Sequence, residues 1–80
     1  MITGLQIRAA RSALRWTIAE LAKRSGVAVR TIKRFEQNDD VPPSRSATLI
    51  SIRTAFEKAG IEFVGINTNR LGIILVKNHD

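Results

Sequence analysis

The sequence predicts a mainly α fold, four short helices followed by a C-terminal β-hairpin, and three observations carry that reading. Apolar residues recur at three- and four-residue intervals in four separate stretches up to Ala59, as they do on one face of a helix. Thr3, Thr17, Gly26 and Gly60 stand where helix ends need a capping oxygen or a residue that tolerates left-handed backbone. After Gly60 the period changes, and two β-branched runs flank a polar turn.

The first helix is expected from about Gly4 to Leu14, because Thr3 and Gln6 have capping-box spacing and Ile7, Ala10 and Leu14 share a face. Thr17 and Glu20 repeat the box, so a second helix opens at Ile18, turns Leu21 and Ala22 inward and stops at Gly26. A third runs from about Ala28 to Gln37. Ala28, Ile32 and Phe35 fall on one side of it, while Val29, Arg30, Lys33 and Arg34 cover a contiguous arc of roughly 140° opposite. Asn38 suits the left-handed position that ends this helix, and Pro42 and Pro43 make the following loop rigid. Leu49, Ile52, Phe56 and Ala59 define a fourth helix from about Ser46 to Ala59, with Ile61 placed for the apolar contact of a Schellman cap at Gly60. Ile61 to Val64 and Leu71 to Val76 then read as the strands of a hairpin over about 61–77, turning at Asn67 to Arg70.

Eighty residues make one domain, near the lower limit for a core without staples. There is no cysteine, and the one histidine, His79, has no sequence-near partner, so no metal site or other cofactor is expected. No serine, carboxylate or phosphate-cradling glycine pattern points to an enzyme. No apolar run approaches the ~20 residues that span a bilayer, and no membrane partner is expected. Location in the cytoplasm is the corresponding expectation.

Thirteen Lys and Arg against seven Asp and Glu give a net charge of +6 and a pI near 11.2. Up to Asn38 the basic residues Arg8, Arg11, Arg15, Lys23, Arg24, Arg30, Lys33 and Arg34 meet only Glu20 and Glu36. A basic field concentrated in one part of so small a chain is the footprint of a polyanion binder. A lone Trp16 and no tyrosine argue against single-strand recognition by base stacking.

Two helices joined by about three residues cross at close range and need small side chains there, which Ala22 and Gly26 supply. With Leu21, Ile32 and Phe35 they describe a helix-turn-helix over about 17–37. Thr17-Ile18-Ala19-Glu20-Leu21-Ala22, Gly26-Val27, Thr31-Ile32 and Phe35-Glu36, followed by Pro43-Ser44, Leu49 and Ala59 to Phe63, resemble the lambda-repressor and Cro-like (XRE) helix-turn-helix family. The resemblance implies a four-helix lambda-repressor-like DNA-binding domain and several residue roles. Arg11 would pair with Glu36. The backbone at Thr17 and Ile18 would meet a phosphate, Ala28, Val29, Arg30, Lys33 and Arg34 would face the bases, and Arg45 would add a phosphate contact. Three positions depart from the family pattern: Ile18 stands where glutamine is frequent, Ala28 where serine or threonine caps the third helix, and Arg15 where glycine is frequent.

In the C-terminal run, Leu71, Ile73 and Leu75 form one apolar face while Ile74 and Val76 make the other apolar too. Four helices cover one side of such a hairpin, so a second copy joined through these strands is expected. The expected function is therefore that of a nucleoid-associated, dimeric regulator of transcription on duplex DNA, with polymerase as a possible protein partner. The competing reading is an antitoxin-like or adaptor module whose hairpin binds a different protein, such as a toxin.

Overall fold

A computed structural model describes residues 2–65 and 71–76; the expected turn at 67–70 and His79 lie outside them. The order is α1 (Gly4–Leu14), α2 (Ile18–Ser25), α3 (Val29–Glu36), α4 (Ser46–Lys58), β1 (Ile61–Val64) and β2 (Gly72–Leu75). The four helices and the hairpin follow the sequence reading to within a residue or two at each end.

α1 begins with a complete capping box: Thr3 Oγ1 accepts from the Gln6 N–H, and Gln6 Oε1 accepts from the Thr3 N–H, each at 3.0 Å. One residue on, Gly4 is pressed against the chain that follows α3. Its N–H donates to the Asp40 carbonyl at 3.0 Å, and a Cβ there would lie 1.8 Å from the Asn38 carbonyl oxygen. Only glycine permits that approach. The helix ends at Arg15, the one described non-glycine residue with left-handed backbone, at φ 57°.

In α2 only half of the expected box forms. Thr17 Oγ1 accepts from the Glu20 N–H, but the Glu20 carboxylate turns to Arg24 one helical turn on, at 2.6 Å. A free carboxylate beside a guanidinium at i+4 gains more from that pair than from a solvent-exposed backbone N–H. Gly26 ends the helix at φ 75°, its N–H bonded to the Ala22 carbonyl. α3 starts at Ala28 without a side-chain cap, and Ala28 is exposed rather than turned inward. Nor is Asn38 left-handed: α3 closes with right-handed Gln37, and Asn38 Oδ1 accepts from the Asp40 N–H to shape the loop. At the end of α4, Gly60 takes left-handed backbone at φ 97° and its N–H donates to the Glu57 carbonyl, the inner bond of a Schellman cap, while the Ala59 N–H closes an i→i−3 turn on Phe56.

The core consists chiefly of Ile2, Ile7, Ala10, Leu21, Ile32, Phe35, Leu49, Ile52, Phe56 and Ile61. Trp16 stacks on Phe56 at 5.5 Å and Phe63 meets the same ring edge-on at 5.8 Å, so the α1–α2 corner, α4 and β1 share one aromatic column. α3 packs on α1 and α2, whereas the hairpin packs on α1 through β2 and on α4 through β1. The strands are antiparallel, with Ile61 opposite Leu75 and Val64 opposite Gly72. Gln6, fully buried, fixes the hairpin to α1: its Nε2 donates to the Val64 and Gly72 carbonyls at 3.1 and 3.0 Å. The side chain that caps the first helix therefore also clamps both strands.

Candidate nucleic-acid interface

Helix α3 is held at its C-terminal end by two arginines from α1. Arg11 forms a two-bond pair with Glu36, Nε to Oε2 and Nη2 to Oε1, both at 2.9 Å, and gives its remaining nitrogen to the Trp16 carbonyl. Glu36 is 8% exposed. Hydrogen bonding to Glu36 raises the Arg11 pKa above its ordinary value against the opposing effect of burial, so the guanidinium stays charged. Arg8, one turn earlier, donates to the Glu36 carbonyl and to the Asp39 carboxylate, satisfying a carbonyl that the helix end leaves open. Ile32 and Phe35 are fully buried on the same side. These contacts fix the roll of α3 and so decide what its other face presents.

That other face carries Val29, Arg30, Lys33 and Arg34, all exposed, with no acidic residue among them. Arg34 lies over the Phe35 ring at 5.6 Å, which limits its swing without using its hydrogen-bond donors. Beside it opens a groove of about 560 Å³ between the α2–α3 turn and the start of α4, lined by Gly26, Ala28, Thr31, Arg34, Arg45 and Thr48. Arg34 and Arg45 are thus brought to one concavity from two elements, which no local sequence pattern could show. Thr17 is exposed at the α2 N-cap, while the Ile18 side chain packs against the core and leaves only its backbone available.

The fold sorts the cations into two groups. Arg8, Arg11, Arg24 and Arg53 each pair with a carboxylate. Arg24 also covers Trp16 at 4.5 Å, so its role is architectural. Among the described residues none of Arg15, Lys23, Arg30, Lys33, Arg34 and Arg45 has a carboxylate partner, and all six are exposed. Every one lies within or immediately beside the helix-turn-helix.

On the hairpin, opposed residues share a face, so Ile61, Phe63 and Ile73 turn toward the helices, Leu75 lies opposite Ile61 on that face but is 42% exposed, and Glu62, Val64 and Ile74 turn out, with Val76 continuing their row. Of the residues expected to join two copies, Ile73 packs against the core and Leu71 is half-buried, whereas Ile74, Leu75 and Val76 are exposed. Val64, 37% exposed, belongs to the outer face and was not evident from the C-terminal strand alone.

A family model described as helix-turn-helix matches residues 7–60, well over half of the chain. The chain belongs to the helix-turn-helix family of the lambda-repressor (XRE) type, a family of DNA-binding domains. No curated protein matches it. Among the described residues no helix is long and apolar enough to cross a membrane, and no group of His, Cys, Asp or Glu could hold a metal ion.

Proposed function

We propose that this chain is a sequence-specific regulator of transcription that binds duplex DNA as a homodimer, with α3 in the major groove. The observation that carries the reading is the sorting of the cations: acids occupy the arginines that build the scaffold and leave the α3 face and its surroundings uncompensated. Arg30 and Arg34 are suited to bridge guanine O6 and N7, Val29 to touch a thymine methyl, and Arg45 to hold a phosphate at the rim of the groove. The backbone at Thr17 and Ile18 would meet a second phosphate.

The dimer rests on the outer face of the hairpin. Val64, Ile74 and Val76 are 37%, 48% and 38% exposed, and Glu62 is the only charged residue in 61–65 and 71–76. Copies bearing +6 each repel least where their contact carries little charge. A two-fold contact there leaves both α3 helices free for successive major grooves, about 34 Å apart. The same apolar face favours the second reading, an adaptor or antitoxin-like module that binds another protein through the hairpin.

Selection of bound fragments from random duplex DNA tests the proposal. A palindromic consensus is expected, with affinity falling by about 10³ to 10⁵ between 50 and 200 mM salt if a dimer makes 6 to 10 phosphate contacts. Failure of the folded protein to retain any duplex at 50 mM salt would remove the regulator reading and favour the adaptor.

A further inference from the structure

We propose that Arg15 is a dedicated phosphate clamp, a contact to the DNA backbone that adds affinity without reading sequence; this rests on the duplex-binding function proposed above. Arg8 and Arg11 stand three residues apart on α1, and Arg15 follows four residues on, at the helix's left-handed C-cap. The first two reach the end of α3 and meet its carbonyl and carboxylate groups. Neither carboxylate pairs with the third. Arg15 is exposed and has no carboxylate partner among the described residues.

Its surroundings fix where that charge sits. The Arg15 N–H donates to the Ser12 carbonyl, the Trp16 N–H to the Arg11 carbonyl, and the Trp16 carbonyl accepts from Arg11, so the corner is bonded on both sides of the residue. Trp16 turns inward onto Phe56, and its neighbours Arg15 and Thr17 remain exposed. The cation is thus carried by a braced corner two residues before the α2 cap, in a domain whose family binds DNA and whose other exposed cations without a described carboxylate partner lie on α2 and α3 and at the α4 N-cap.

The backbone at Arg15 strengthens the inference. At φ 57° and ψ 35° a glycine would be free of the steric cost that any Cβ meets. An arginine held there without an internal partner contributes nothing visible to the fold, so the residue that best serves stability and the residue that best serves binding differ at this position.

Two variants separate these effects. Arg15→Gly removes the charge and the strain, whereas Arg15→Gln removes the charge and keeps the strain. Both are expected to lose affinity for the selected site and for random duplex by the same factor. Both should also show a log–log salt slope shallower by about 0.9 per bound copy, so that about threefold less affinity per copy is lost between 50 and 200 mM salt. Arg15→Gly should do so with a Tm no lower than that of the parent, and Arg15→Lys should keep most of the binding. An unchanged slope and affinity in both Arg15→Gly and Arg15→Gln, with the parent binding duplex, would overturn the clamp and leave the regulator reading intact. A parent that binds no duplex at all would overturn both.

Discussion

The outer face of α3 and the outer face of the hairpin are both open to solvent, yet they are built in opposite ways. On α3 the exposed residues include Arg30, Lys33 and Arg34, and Val29 is the only large apolar one. On the hairpin, Val64, Ile74 and Val76 share the outer face with Glu62, the single charge among its described residues. The supports differ as well. α3 is fixed by charged hydrogen bonds from Arg8 and Arg11, which hold its end in one orientation. The hairpin is fixed by apolar packing on α1 and α4 and by one amide, that of Gln6. A surface that must align donors with base edges needs directional restraint, whereas an apolar surface needs only to be held against the core.

The largest effect on this contrast is expected from Glu36→Ala. It leaves Arg11 partly buried without its carboxylate, which costs about 3 kcal/mol, and it should loosen α3 while the hairpin stays packed. Hydrogen exchange reads this directly: protection should fall in Val29 to Glu36 before it falls in Ile61 to Val64. A double-mutant cycle without coupling between Arg11 and Glu36 would contradict it. Next come Arg30→Ala and Arg34→Ala, each expected to cost roughly 1 to 3 kcal/mol on the best site and to relax preference at one base pair. Arg45→Ala should instead weaken selected and random duplexes alike, and losses that are equal on selected and random duplex for both Arg30→Ala and Arg34→Ala would show that the reading face is misassigned.

A smaller gain is expected from Ala28→Ser. The α3 N-cap has extended backbone and no side-chain bond, so a hydroxyl there should add about 1 kcal/mol to thermal stability, measured as a rise in Tm. The smallest effect on the fold belongs to Ile74→Lys on the hairpin's outer face, where the change in unfolding free energy should stay within about 0.5 kcal/mol. Its effect on assembly should be large. Sedimentation equilibrium at micromolar concentration should show the parent as a dimer and the variant as a monomer, and a parent that is already monomeric would end the dimer proposal.

The elements and several of their caps were legible in the sequence because they depend on residues close together along the chain. Thr3 with Gln6, Thr17, Gly26, and the apolar spacing of Ile7, Ala10 and Leu14 act within one or two turns and placed α1 and α2, as the spacing of Ile32 with Phe35 and of Leu49, Ile52 and Phe56 placed α3 and α4. The cationic arc of α3 was legible for the same reason: a fixed rotation of 100° per residue sets it. The pairing of Arg11 with Glu36, 25 residues apart, was implied only by the resemblance to the lambda-repressor family, and the two do meet in a bidentate pair.

The tertiary structure decided what depends on approaches between distant segments. The need for glycine at position 4 comes from the carbonyls of Phe35 and Asn38, and the reach of Gln6 to the strands spans 58 and 66 residues. Glu20 had two partners in range, the Thr17 N–H and Arg24, and solvent exposure gave it to the arginine. In the hairpin, alternation separated Ile73 from Ile74 but could not say which side the helices would cover, because both sides are apolar. The left-handed backbone of Arg15 stands between these cases. Its position at the end of α1 follows from local spacing, but that its charge has no carboxylate partner among the described residues, Glu36 and Asp39 being engaged by Arg11 and Arg8, shows only in the folded chain. Local order is fixed by steric and capping preferences that act over a few residues, whereas the pairing of charges and the choice of buried face are fixed by packing, which is set only when the whole chain has closed on its core.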